Sequence, residues 1–244
     1  MNEPVVLRAL AKLTLSLRIT GVRPDGYHLI DAEMVTIDLH DVVTIAPGDE
    51  LIVRGPYAAG IPTDESNLVR RALHAVGRTA AVTIEKAIPH GAGLGGGSAD
   101  AAAVLRWAGC RDTALAAGIG ADVPFALQGG RARVRGIGDE LDPLPFLDQT
   151  FTLVTPPLAI ATVDAYRAWD ALGGPAGQGD NDLERAALAV EPRLAQWRDR
   201  IGDACGVTPV LAGSGSTWFV AGAHPDLTER FPDAMVAVTR TDRP

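Results

Sequence analysis

The segment Pro89-His90-Gly91-Ala92-Gly93-Leu94-Gly95-Gly96-Gly97-Ser98-Ala99 constrains this chain more than any other stretch of it. Glycine reaches backbone conformations closed to other residues and lets amides approach a ligand without a Cβ in the way. Ahead of the loop, Ala81 to Ile88 reads as a strand; behind it, Ser98 to Trp107 is alanine-rich and reads as a helix closed by Gly109. A glycine loop running from a strand into a helix start gathers N–H groups and the positive end of the helix dipole at one place, which suits a phosphate. Gly-Lys-Ser/Thr is absent, so this is no Walker loop, and Gly91-x-Gly93-x-x-Gly96 matches a dinucleotide fingerprint only formally. A flexible linker is the alternative, and the close flanking elements speak against it.

Around this loop the chain reads as alternating strands and helices. Val5 to Ile19 is a strand ending in the turn Arg23-Pro24-Asp25-Gly26, and Glu33 to Leu39, Asp41 to Ala46 and Leu51 to Val53 read as further strands. Leu68, Val69, Ala72, Leu73 and Val76 fall at helical spacing behind the polar cap Asp64-Glu65-Ser66-Asn67. Beyond Phe151 a strand to Val154 precedes a helix near Asp164 to Leu172 and a glycine-rich linker, Gly173 to Gly179. Helices over Asp182 to Val190, Pro192 to Ile201 and Pro225 to Arg230, and strands at Val210 to Ala212, Thr217 to Ala221 and Met235 to Thr239, complete the reading.

Composition narrows the functional classes. A formal net charge of -8 opposes a large nucleic-acid surface, and no apolar run approaches membrane-spanning length. Cys110 and Cys205 lack metal or disulfide-framework spacing, and no charged-then-apolar leader follows Met1, which points to a reducing cytoplasm. Basic residues are almost all arginine, and Lys12 and Lys86 are the only lysines in the sequence. A lysine kept against that bias can present a compact point charge that a guanidinium cannot, with chance placement as the alternative.

Pro89 to Ala99 resembles the second motif of the GHMP small-molecule kinases, Pro-x-x-x-Gly-Leu-Gly-x-x-Ser-Ala, with one additional glycine. Three distant segments are similar to one branch of that family: Ala11-Lys12-Leu13-Thr14-Leu15 with Arg23-Pro24-Asp25-Gly26-Tyr27-His28, Gly120-Ala121-Asp122-Val123-Pro124-Phe125, and Leu211-Ala212-Gly213-Ser214-Gly215-Ser216. The resemblance implies an α+β, two-lobed fold, with residues 1–150 forming a strand-rich ATP-binding lobe and 151–244 a smaller lobe. It implies ATP and Mg2+ as the donor pair, and a cytidine-diphosphate-linked methylerythritol as the alcohol substrate. A monomer or weak homodimer follows, with no nucleic-acid or membrane partner.

Phosphoryl transfer asks the protein for positioning and charge stabilisation. The resemblance makes Asp122 the base and Lys12 its electrostatic partner; on sequence alone Asp122 also reads as a helix N-cap. Pro89, Gly91, Gly93, Leu94, Gly95, Gly96, Gly97, Ser98 and Ala99 become the phosphate loop, with the Ser98 hydroxyl offered to phosphate or magnesium. Asn67 and Lys86 fall at the adenosine contacts, although alone Lys86 reads as an ordinary solvated charge. Thr14, Tyr27, His28, Thr162, Tyr166, Gly213 and Ser214 take the substrate positions, Tyr27 and His28 holding the cytosine; alone, that pair also reads as a half-buried turn. Thr14 stands where the family usually has Asn, and Ala108 to Ile119 is shorter than the family's stretch, which leaves a sensor with little turnover, or a kinase for another alcohol, as alternatives.

Overall fold

The computed structural model describes residues 3–174, 177 and 179–243; Pro175, Ala176 and Gln178 of the expected linker lie outside the described residues. Two long strands organise it. β1 (Val5–Val22) and β2 (His28–Ala46) form an antiparallel hairpin around the turn at Gly26, whose φ is 87°. β2 is one strand, which corrects the expected division at His40. Its polar His40-Asp41 step imitates a break, but pairing with β1 continues past it, Leu10 opposite His40 and Ala9 opposite Asp41. The other edge of β2 is shared between partners, Ile30 to Val35 with one strand and Val42 to Ala46 with another.

Those partners are β5 (Arg131–Gly136) and β4 (Ala81–Glu85), flanked by β6 (Glu140–Pro143) and β3 (Leu51–Arg54) respectively, giving a six-stranded sheet. Helices α1 (Leu68–Ala75), α2 (Gly96–Trp107), α3 (Thr113–Ile119) and α4 (Val123–Gln128) accompany it. α2 buries Ala99 and Ala101 to Leu105, and its short alanine side chains let it lie close against β1, α1 and α4. A second, four-stranded sheet runs β10 (Met235–Arg240), β7 (Thr150–Thr155), β9 (Trp218–Ala221), β8 (Val210–Leu211). With it are α5 (Thr162–Ala171), α6 (Glu184–Val190), α7 (Arg193–Cys205) and α8 (Leu227–Arg230).

The two sheets share cores through β1. Ala9 packs into the cluster around α1 and α2, whereas Ala11 and Leu13 join Phe151, Leu153 and Phe219 of the second sheet. Leu17 joins Phe125, Trp169 and Leu183. Burial of this strand from both sides explains its nearly continuous apolar stretch, since only a strand covered on two faces needs one. Register shifts fall between Leu10 and Lys12, Thr14 and Ser16, and Ile19 and Gly21. Bulges of this kind re-aim side chains, and the first immediately precedes Lys12.

Candidate active site

The glycine loop is strung between both sheets. Leu94 O accepts from the Lys12 amide at 3.0 Å, Ala92 O from Thr217 at 3.3 Å, and Gly91 O receives Ile160 at 3.4 Å. Gly93 (φ 77°) and Gly95 (φ 70°) hold left-handed conformations, and space demands glycine there as well. A Cβ on Gly93 would collide with the Ala212 carbonyl, and one on Gly95 would lie 2.9 Å from Lys12 Cγ. Gly95 is the N-cap of α2, and Ala99 donates to its carbonyl at 2.9 Å. The amides of Gly96, Gly97 and Ser98 in the first turn therefore have no carbonyl of the helix to donate to, the arrangement that makes a helix start able to bind an anion.

Lys12 passes alongside this turn. Its Nζ donates to Thr14 Oγ1 at 2.9 Å and lies 3.6 Å from Asp122 Oδ2, with the Lys12 side chain buried and that of Asp122 one-third exposed. Thr14 thus supplies an acceptor to the lysine where an Asn was the expected family residue. Asp122 sits at the N-cap position of α4 but makes no capping hydrogen bond. Its carboxylate faces the lysine instead, and Pro at the helix start removes one amide that would have needed a cap. Gly213 closes the other side: a Cβ there would stand 3.1 Å from Lys12 Nζ.

An aromatic group continues the site. The His28 ring lies 4.6 Å from that of Tyr166, tilted by 31°, and 5.5 Å from Trp169 edge-on, while its Nε2 is 2.8 Å from Asp170 Oδ1. Burial, with the Asp122 charge adding to it, pushes the Tyr166 phenol well up, so it stays a neutral hydroxyl. Tyr27 is exposed on the adjoining turn, with Arg23 5.9 Å over its ring, so it is no half-buried turn residue. Thr162 Oγ1 and Ser214 Oγ meet at 3.1 Å, tying the start of α5 to the Gly213 loop.

The two expected adenosine contacts, Asn67 and Lys86, both make hydrogen bonds within the protein. Asn67 spends its side chain on structure: Oδ1 accepts from Val69 at 2.8 Å as the α1 cap, and Nδ2 donates to Pro62 O at 2.7 Å. Lys86 is 3% exposed and ion-paired to Asp41 and Asp100, which corrects its reading as a solvated strand-end charge. Asn181 was missed altogether. It donates to Leu211 O at 2.8 Å and Gly213 O at 2.6 Å and accepts from Leu183, fixing the Gly213 loop against β1, where Leu17 bridges to it. The run Asp180-Asn181-Asp182 is the only local signal it offered. Among the described residues no three His, Cys, Asp or Glu side chains are grouped to hold a metal, and no helix is long and apolar enough to cross a membrane.

Residues 67–130, which carry α1, the glycine loop, α2 and Asp122, match the GHMP kinases N terminal domain. The 4-diphosphocytidyl-2-C-methyl-D-erythritol kinase of Paracoccus denitrificans (strain Pd 1222) is 40% identical, over 86% of this chain and 84% of that protein. This chain belongs to the 4-diphosphocytidyl-2-C-methyl-D-erythritol kinase family. The family relative from Pelotomaculum thermopropionicum is 36% identical over 97% of both chains. A crystal structure of 4-(cytidine 5'-diphospho)-2C-methyl-D-erythritol kinase superposes with a TM-score of 0.74 at 32% identity, covering 98% of this chain and all of that one. The α+β GHMP kinase fold expected from the motifs is the fold found.

Proposed function

We propose that this chain transfers the γ-phosphoryl group of ATP to the 2-hydroxyl of 4-diphosphocytidyl-2-C-methyl-D-erythritol, a step of the non-mevalonate route to isoprenoid precursors. The single observation that carries the mechanism is the Lys12–Asp122 pair at 3.6 Å, beside the free amides that begin α2. The acceptor hydroxyl gives its proton to Asp122 while its oxygen forms the new bond to phosphorus. The bond to the β-phosphate oxygen breaks, and ADP leaves. Lys12 balances charge on the transferring oxygens, and the Thr14 hydroxyl holds its ammonium in place.

In this reading Pro89 to Ala99 form the triphosphate cradle, its left-handed glycines allowing the backbone to approach the anion. The Ser98 hydroxyl, in the first turn of α2, would meet the phosphate or the magnesium of Mg-ATP, an ion that would supply charge neutralisation at the phosphates. Tyr27, His28 and Tyr166 hold the cytosine, the tilted rings of His28 and Tyr166 supplying an aromatic wall and the exposed Tyr27 ring a second face. Thr162, Ser214 and Gly213 position the alcohol. Asn67 and Lys86 serve the nucleotide through the elements they anchor. Residues up to about 150 act as the ATP-binding lobe and the remainder as the smaller C-terminal lobe, in a cytoplasmic monomer or weak homodimer.

The test is ADP release from purified protein over a panel of alcohols that includes the cytidyl compound, homoserine and mevalonate. Turnover is expected with the cytidyl compound alone, and Asp122→Asn and Lys12→Ala should each lower kcat by about a hundredfold or more. Turnover of another alcohol with no response to the cytidyl compound would defeat the substrate assignment.

A further inference from the structure

Beneath the glycine loop lies a buried group of three charges for which the reaction above has no direct use. Lys86 follows β4; its Nζ pairs with Oδ2 of Asp41 on β2 and, at 2.7 Å, with Oδ2 of Asp100 on α2. Asp41 also reaches the chain entering the loop, where its Oδ1 accepts from the amides of Ala87 at 2.6 Å and Ile88 at 2.8 Å. A Cβ on Gly96 would stand 3.0 Å from Ile88 Cγ2 and 3.2 Å from Lys86 Nζ. The ammonium therefore lies directly under the first residue of α2, whose amide is among those offered to phosphate.

Two carboxylates sharing one ammonium in the interior are costly unless their remaining lone pairs are satisfied. The two are unequal in this. Asp41 engages both oxygens with three donors, an arrangement that acceptor oxygens alone satisfy. Asp100 uses one oxygen on Lys86, and its Oδ1 is buried with no hydrogen-bond partner. A buried ionic group of this kind adds little net stability compared with apolar packing, so its worth lies in the geometry it imposes. The geometry it imposes is that of the loop: Asp41 grips the entry at Ala87 and Ile88, and through Lys86 it reaches the exit at Gly96.

We infer that Asp41 is a positioning residue for phosphoryl transfer, holding the Ala87 and Ile88 amides and the Lys86 ammonium so that the amides starting α2 meet the ATP phosphates, with Asp100 the subordinate partner. The inference rests on the reading of the loop as the ATP site. Burial pushes the Asp100 carboxyl up to about 7, which agrees with Asp100 being the member that gives up its charge.

The experiment measures ATP affinity by calorimetry and, separately, KM for ATP and kcat with the cytidyl alcohol, for wild type, Asp41→Asn, Asp100→Asn and Lys86→Arg, with circular-dichroism melts as the check on folding. Asp41→Asn is expected to weaken ATP binding and raise its KM by about tenfold or more, with a smaller fall in kcat, the loss of a charge-assisted hydrogen-bond set. Asp100→Asn should change the same quantities by about threefold or less, since the amide oxygen still accepts from Lys86 and Asp100 holds no loop amide. A folded Asp41→Asn with ATP affinity within twofold of wild type, or equal losses in the two Asp variants, overturns the inference. A lower melting temperature without a split between KM and kcat marks a purely structural group and overturns it too. If Asp41→Asn does not fold, Lys86→Arg decides: the larger planar cation under Gly96 should raise KM for ATP, and an unchanged KM sinks the idea. Wild type that binds ATP without turning over the cytidyl alcohol defeats only the substrate reading, whereas wild type that binds no ATP defeats both.

Discussion

At the scale of single residues, the charges under the loop and beside it respond differently to pH and to substitution. Asp100 faces Lys86 and Asp41, and its burial raises its carboxyl from 3.8 to about 7. Between those values the folded protein keeps a proton that the unfolded chain has lost, so this group's contribution is full below pH 4 and declines as pH rises to 7. That is opposite in sign to an ordinary salt-bridged aspartate. Asp100→Asn, neutral throughout, escapes the decline: its melting temperature relative to wild type should climb between pH 5 and pH 8, and a constant difference across that range would contradict the assignment. Thr14 gives a second case. Thr14→Val keeps the shape and removes the acceptor at 2.9 Å from Lys12 Nζ. We expect kcat to fall by about tenfold or more, as for hydrogen bonds to charged groups, and Thr14→Asn to recover most of it.

At the scale of elements, the loop and the helix behind it act as one part. Gly95→Ala forces a left-handed alanine against Lys12 Cγ, costing about 1–2 kcal/mol of stability from the backbone alone and displacing the Lys12 side chain. Gly97→Ala, with its nearest neighbour at 3.8 Å on Leu68, should melt close to wild type. Thermal melts of the pair separate the two predictions, since only Gly95→Ala should be destabilised. This part was legible in the sequence because its demands are local: glycines where φ is positive, alanines where a helix must lie close, an Asn67 cap four residues before Arg71. What escaped was set by distant partners. β5, Arg-Ala-Arg-Val-Arg-Gly, hides its strand character because its arginines pair with Glu33 and Asp31 across the sheet. Lys86 read as solvated because nothing near it in sequence announces Asp41, which lies 45 residues earlier. Asp122 reads as a helix cap on sequence alone, and the structure shows that it makes no capping hydrogen bond.

At the scale of the whole molecule, β1 lends Ala9, Ala11, Leu13 and Leu17 to three clusters that involve both sheets, so the two sheets are expected to unfold as one body. Trp107 reports on the first sheet's helices and Trp197 and Trp218 on the second's core. Leu153→Ala, in the shared core, should cost about 2–5 kcal/mol and shift the transitions seen by far-ultraviolet dichroism and by single-tryptophan fluorescence together. Separated transitions would mean that the sheets unfold independently. The sequence also has lysine at two positions only, and both are buried, Lys12 at 7% and Lys86 at 3% exposure. Lysine is therefore nearly withdrawn from the folded surface, and apart from the terminal amine the more reachable target for an acylating label is Lys12, in the candidate active site. Bound nucleotide should shield it, so the rate at which such a label enters the native protein becomes a readout of occupancy, and a burst of second-site labelling becomes a readout of unfolding.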